Sequence, residues 1–347
     1  MPDTFILRPM TTADGEAVRH LMEDDPETSG MQITTRFRVD PVTAWKTLKP
    51  NMVGAVATEG ETVLGAATVA FEDVKYNGRV LPSAFLENLK VQQAARGKGV
   101  GSALAQWRVD QARSRFAEDG VIVTHTSTDN IASQNTMKKW ANQFFSPLTL
   151  AIRPILRRKP PDPTGLSVHA AEERDYEEIA ARSNRFYEDF QLYSVMSPDW
   201  LQSYIDPAPH VYGYFVVRDA SGAQVAGAMT SLRAALMYDE IRRMPRVLKL
   251  VNDRLLNIVP SDGMLRSMEV NFLWYERLDA GRYLWNTLRW MFRDQVGTVT
   301  ANFDARSRLH DAFQVNPWHM PKISVVVALH GPEMMDTSKP VCGTLRG

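Results

Sequence analysis

The segment Val91-Gln-Gln-Ala-Ala-Arg96-Gly97-Lys98-Gly99-Val100-Gly101-Ser102-Ala-Leu104 joins an apolar, strand-like run to an apolar, helix-like run through a glycine-rich loop. Glycines at 97, 99 and 101 take side chains away where backbone N–H groups must converge. The first turn of the helix that follows adds unpaired N–H donors and the positive end of its dipole. The segment is therefore expected to form a strand, loop and helix that hold a diphosphate-like anion.

Spacing separates the phosphate loops that such a segment can be. A P-loop needs G-x-x-x-x-G-K-[ST], yet Lys98 is followed by Gly99 and no Ser or Thr is placed for magnesium. A dinucleotide fingerprint needs G-x-G-x-x-G after the first strand of a βαβ unit; here the third glycine comes one place early and the loop lies past several strand-like segments. What fits is R-x-x-G-x-G, Arg96 to Gly101, entered from the strand Ala84 to Val91. This pattern resembles the acetyl-CoA loop of the GNAT superfamily of N-acetyltransferases. The resemblance implies that the diphosphate rests on Arg96, Gly97, Lys98, Gly99, Val100, Gly101 and Ser102.

The likeness covers about residues 5 to 150. Phe5 to Asp14 resembles the family's opening strand and the cap of its first helix, Asp14 being a good N-cap residue. Met52 to Glu59 and Thr62 to Phe71, separated by Gly60-Glu61, read as a hairpin. Val121 to Asn130 reads as a further strand. It runs into Asn130-Ile-Ala-Ser133-Gln-Asn-Thr-Met137-Lys-Lys139-Trp140, which is similar to the family's second cofactor segment, N-x-x-[AS]-x-x-x-[YLM]-x-K-x-G-F. The resemblance implies that Asn130, Ser133 and Met137 line the pantetheine end of an acetyl-CoA groove. Met137 stands where the family often has a tyrosine general acid, so that role is not carried over. Ala141-Asn142 replaces the closing Gly-Phe, with Phe144 and Phe145 just beyond, and a rearranged helix end is expected.

The 347 residues suggest two domains, and 44% hydrophobic composition supplies ample core. A formal net charge of zero gives no general electrostatic reason to bind nucleic acid or an anionic membrane. The one cysteine, Cys342, leaves no intrachain disulfide and no zinc cluster, and no metal is expected. No signal peptide or apolar run near 18 residues is evident, and the expected location is the cytoplasm.

The chain states its pattern twice. A Pro- and Arg-rich linker is expected over 153–165, between an acetyl-CoA-binding domain over 1–152 and a second domain over 166–347. Leu166 to Asp175 has the shape of Ile6 to Asp14. Tyr214 to Asp219 and Val225 to Leu232 repeat the hairpin. Met268 to Trp274 stands where Phe85 to Asn88 stood, which makes Glu269 the counterpart of Glu87. Leu278 to Tyr283 stands in place of Arg96 to Gly101, with Asp279, Leu284 and Trp285 set to crowd or repel a diphosphate. The expected fold class is α/β (α+β): two tandem GNAT folds, each a mixed, mostly antiparallel central sheet flanked by helices, the second without its cofactor. Such a layout is loosely similar to the plant Hookless-type N-acetyltransferases. Ala235 to Leu256 has apolar positions at helical spacing and is expected to pack on the second domain.

Acetyl transfer from a thioester needs a neutral amine, so a group must accept the ammonium's proton. It also needs an N–H aimed at the developing oxyanion. The resemblance places that donor in the backbone of Leu89, Lys90 or Val91. Glu87 is the candidate base, because period-two alternation puts it with residues 85, 89 and 91 on one face, where a carboxylate among apolar neighbours needs a reason; the alternative is a structural pair with an Arg or Lys. His125 reads as hydrogen-bonded structure, with a role as base the alternative. Asp24, Asp25 and Glu27 lie in the loop region that walls the family's acceptor pocket, and the alternative is a solvated loop. The function implied is acetyl-CoA-dependent N-acetylation of a primary amine, with a small-molecule acceptor. A CoA-binding regulatory or scaffold protein without turnover, and an acyl group longer than acetyl, stay open.

Overall fold

The computed structural model describes residues 5–24, 32–128, 130–256, 258–313 and 322–343. The first half runs β1 (Ile6–Pro9), α1 (Gly15–Asp24), β2 (Gln32–Phe37), α2 (Pro41–Leu48), β3 (Met52–Glu59), β4 (Thr62–Tyr76), β5 (Arg79–Val91), α3 (Val100–Phe116), β6 (Val121–Ser127), α4 (Ile131–Met137) and β7 (Gln143–Pro154). The second runs β8 (Ser167–Ala170), α5 (Tyr176–Phe186), α6 (Pro198–Ile205), β9 (Tyr212–Arg218), β10 (Gln224–Ser231), β11 (Met237–Arg243), α7 (Arg246–Val251), β12 (Met264–Leu265), β13 (Ser267–Tyr275), α8 (Leu278–Met291), β14 (Thr298–Asp304), α9 (Leu309–Ala312) and β15 (Lys322–His330). Between β4 and β5 the chain reverses at Asn77-Gly78, both with positive φ, the pair a tight hairpin turn demands.

Among the described residues twelve strands form one sheet, in the order β1-β3-β4-β5-β6-β15-β7-β14-β13-β10-β9-β8. β5/β6 and β13/β14 are parallel pairs, and the other neighbours are antiparallel. Each half is the expected mixed, mostly antiparallel sheet with helices on it, and the strand order from each outer edge inward is the same. The last strands change places: β7, made by the first half, pairs with β14 of the second, while β15, made last, pairs with β6 of the first. Arg153 and Pro154 complete β7. The chain from Ile155 to Gly165 then lies along α8, where the Tyr283 hydroxyl donates to Asp162 at 2.6 Å.

The segment 235–256 is helical only in its second part, α7 and the π-helical turn Asn252–Leu256 that follows it. Met237–Arg243 is a strand that pairs with β2 of the first half, in a separate sheet ordered β12-β11-β2. Its apolar spacing misled because the strand lies across the two halves, with Thr35 donating to Asp239 (2.8 Å) and Arg36 to Glu240 (2.7 Å). Phe144 and Phe145 belong to β7, not to a helix end: α4 stops at Met137, and the two phenylalanines pair with Ala328 and Val327 of β15.

Candidate active site

A bulge in β5 organises the site. Ala66 lies opposite Lys90 and Thr68 opposite Glu87, so Asn88 and Leu89 share one partner residue, and Asn88 takes φ 49°. The Asn88 amide donates to Thr68 Oγ1 at 2.9 Å. The extra residue reverses which side each later residue faces. Phe85 packs on one face of the sheet, whereas Leu89 and Val91 pack with Val100 and Leu104 under α3 on the other. The expected sharing of one face by 85, 87, 89 and 91 therefore fails at the bulge.

β5 and β6 pair only from Ser83–Val121 to Phe85–Val123, after which they separate. The N–H of Gln92 donates to Leu64 at 2.8 Å. Alternation then turns the N–H groups of Val91 and Leu89 toward the opened side and that of Lys90 toward β4. Two side chains reach backbone carbonyls beside the gap: Thr124 Oγ1 donates to Leu86 O (2.6 Å) and Arg108 Nη1 to Glu87 O (3.3 Å).

The glycine loop lies at the mouth of this gap. Gly97 and Gly99 have φ 80° and 88°, a left-handed backbone that glycine adopts without strain. A Cβ on Gly97 would meet nothing within 4 Å, so conformation rather than space requires glycine there. Gly99 caps α3, and no side chain caps that end. Arg96, Gly97, Lys98, Gly99 and Ser102 are exposed, while Val100 is buried. Gly101 sits over Val91, with a built Cβ 3.5 Å from Cγ2. The cradle thus offers open first-turn N–H donors at a seventeen-residue helix and fits a diphosphate. Asn130 caps α4 by accepting from the Ser133 N–H at 3.0 Å, and Met137 is buried.

Below the gap Glu87 is ion-paired with Lys49, the residue that ends α2. Each side chain is only 10% exposed, and Glu87 Oε2 has no hydrogen-bond partner. Burial pushes the Glu87 carboxyl above its usual range, against the pull of Lys49. Phe85 lies between Lys49 (5.2 Å from Nζ to ring centroid) and His125 (5.2 Å between rings). His125 Nδ1 is sealed and unpartnered, and burial, helped by Lys49, pulls the imidazole down to about 4. It is neutral near pH 7 and a weak base. Burial likewise pulls Arg108 down to about 10. Lys49 and Arg108 escaped the sequence reading because no motif marks a residue that matters through a contact made across the fold. The side chain of Asp24, and Asp25 and Glu27 entirely, lie outside the described residues.

The register also corrects the counterpart of Glu87. Ser83, Ala84 and Phe85 pair in parallel with β6 as Ser267, Met268 and Glu269 pair with β14. The second half has a matching bulge at Phe272, φ 51°. Asn271 therefore stands at the Glu87 position, and Glu269 at that of Phe85. The glycine loop is missing from the second half rather than filled, since α8 starts almost directly after β13. Asp279 is paired with its neighbour Arg277 at 2.5 Å. Gly281 lies inside α8 against Tyr275, as Gly101 lies against Val91.

Bulge, gap and glycine cradle lie together at the end of β5. Residues 16–141 match the sequence model of the Acetyltransferase (GNAT) family. No curated protein matches the chain in sequence. Among solved structures, Saccharomyces cerevisiae N-myristoyltransferase with bound myristoyl-CoA is similar, with a TM-score of 0.64 and 10% identity over 95% of this chain and 80% of that one. A protein from Enterococcus faecalis described as a probable N-acyltransferase has a TM-score of 0.51 and 11% identity, over 93% and 72%. A GCN5-related N-acetyltransferase from Anabaena variabilis has a TM-score of 0.54 and 11% identity, over 93% and 72%. At such identities the likeness is one of fold.

Proposed function

We propose that this protein is an acetyl-CoA-dependent N-acetyltransferase that acetylates a primary amine of a small molecule by direct transfer, on a tandem GNAT arrangement whose second half has lost its cofactor loop. The observation that carries the reading is the open, uncapped glycine cradle of residues 96–102 beside a bulged strand whose Leu89 and Val91 N–H groups face the gap. Arg96 to Ser102 would hold the diphosphate, with Asn130 and Ser133 further along the groove. Bound acetyl-CoA supplies an activated thioester carbonyl. The Leu89 or Val91 N–H polarises a carbonyl placed in the gap, and excludes water from that oxygen by occupying it. Glu87 takes the proton that the ammonium must lose: burial raises its proton affinity, and Oε2 has no hydrogen-bond partner. Lys49 holds the carboxylate in place through its other oxygen.

Calorimetric titration with acetyl-CoA, alongside a Gly99→Asp, Gly101→Asp variant, tests the first part. One site per chain, lost in the variant, is the expected result; no site, or two, overturns it. Thiol release with a panel of amines then separates turnover from binding alone. Myristoyl-CoA, the ligand of the yeast neighbour, serves as the long-chain comparison.

A further inference from the structure

Arg108 belongs to α3, the helix whose first turn forms the cradle, and is only 7% exposed. On the α3 face of the sheet Leu86 and Ile122 pack with Val109 and Ala112, while Phe85 and Val123 pack on the other face. Alternation before the bulge puts Glu87 on the Phe85 face, where Lys49 meets it. Arg108 comes from the opposite side, and its guanidinium reaches the Glu87 carbonyl where β5 and β6 have just parted. That bond is long for a charged donor, at 3.3 Å, and Nε has no partner. A buried cation so poorly hydrogen-bonded needs an opposite charge near it.

The charge that acts on Arg108 is that of Glu87, and Arg108 remains a cation at neutral pH although burial pulls it down to about 10. Glu87 in turn is faced by Lys49 from the end of α2, by Arg233 from the turn after β10, by Arg108 from α3 and by Tyr204 from α6. His125 of β6, beyond Phe85, is neutral. Lys49 and Arg233 act on Glu269 as well, whereas Arg108 answers to Glu87. We propose that Arg108 is a positioning residue for acyl transfer: it fixes the Glu87 backbone where the bulge begins, holds the carboxyl in its charged, proton-accepting form, and so ties the base to the helix that carries the cradle. The inference rests on the acyl-transfer reading and adds a residue that sets when Glu87 can act.

Two variants of the full chain separate charge from contact. Arg108→Gln keeps an amide donor for the Glu87 carbonyl and removes the charge, whereas Arg108→Lys keeps the charge. With glutamates isotope-labelled at the side-chain carboxyl, the Glu87 NMR signal is the one lost in Glu87→Gln, and its titration is read without substrate. An opposite charge favours the ionised carboxyl, so Arg108→Gln should raise the midpoint by about half a pH unit or more, about threefold in proton affinity, and Arg108→Lys by less than about a quarter unit. The acidic limb of acetyl transfer should move to higher pH with it. An unmoved midpoint in Arg108→Gln, or an equal shift in Arg108→Lys, overturns the proposal even if turnover falls. Should Arg108→Gln fail to fold, the unaltered chain decides: the Arg108 Nε signal, identified by its absence from Arg108→Lys, should shift across the Glu87 titration and stay flat in Glu87→Gln. The same response in both overturns the proposal. A moved midpoint in a chain that transfers no acetyl group sinks the acetyltransferase reading and leaves the hold of Arg108 on Glu87 standing; an unmoved one in a chain that does transfer sinks this proposal alone.

Discussion

Replacing His125 by Gln should flatten the acid side of the stability curve. In the folded chain the imidazole is displaced from 6.5 to about 4, chiefly by burial and then by Lys49. The unfolded chain therefore takes up the proton first as the pH falls. The stability His125 contributes is fully present above about 6.5 and is lost progressively as the pH falls toward 4. At about 1.4 kcal/mol per unit the displacement amounts to ~3 kcal/mol, of which ~2 kcal/mol is gone by pH 5. That is a large part of the 5–15 kcal/mol that typically separates folded from unfolded protein. Urea unfolding at pH 7.5, 6.0 and 5.0 reads it: the original chain should lose ~2 kcal/mol more than His125→Gln between the first and last of these. Glu87 and Glu269 act in the opposite direction, because burial raises their carboxyls and favours the folded state as they protonate. They are common to both proteins and cancel in the comparison. Parallel curves would refute the reasoning and mean that water reaches the ring.

Glu87→Gln should lower turnover about 10²–10⁴-fold, with acetyl-CoA affinity little changed and the acidic limb of the pH profile gone; unaltered turnover across pH removes Glu87 from the mechanism. In Gly65→Ala the new Cβ would lie 2.9 Å from both Leu104 Cδ1 and the Lys90 carbonyl oxygen, so α3 must move. A loss of about 1–3 kcal/mol in chemical unfolding and weaker acetyl-CoA binding by calorimetry are expected. A chain ended after Gly165 should not give a folded, soluble first half by circular dichroism and gel filtration, because it leaves β6 without β15 and β7 without either neighbour.

The local elements were legible because each carries its own pattern. The hairpin of β3 and β4, the strand before the glycine loop and their second-half equivalents stand close to where apolar alternation and turn residues put them. Asp14 does lie at the start of α1, although it acts by accepting from the Thr11 N–H (2.8 Å) and from Arg8 (2.5 Å). What could not be read depends on distant partners. The bulge at Asn88 is invisible to alternation because one inserted residue changes no composition. Strand Met237–Arg243 is fixed by pairing with β2, which lies far away in the sequence. The Glu87 pair with Lys49 joins α2 to β5, and nothing near either residue announces the other.

The second half is more than a spare copy. Continuing the matched registers, Glu72, Phe85 and Glu87 of the first half correspond to Arg233, Glu269 and Asn271 of the second. The same three places thus hold two acids and a ring in one half, and a base, an acid and an amide in the other. Arg233 and Lys49 each favour the charged forms of both Glu87 and Glu269. Each half therefore supplies a cation that offsets the buried carboxylate of its neighbour. Two such acids could not be enclosed side by side without cations to oppose their repulsion and their loss of hydration. The exchange of β7 and β15 ties the two halves into one sheet and so holds those cations in place.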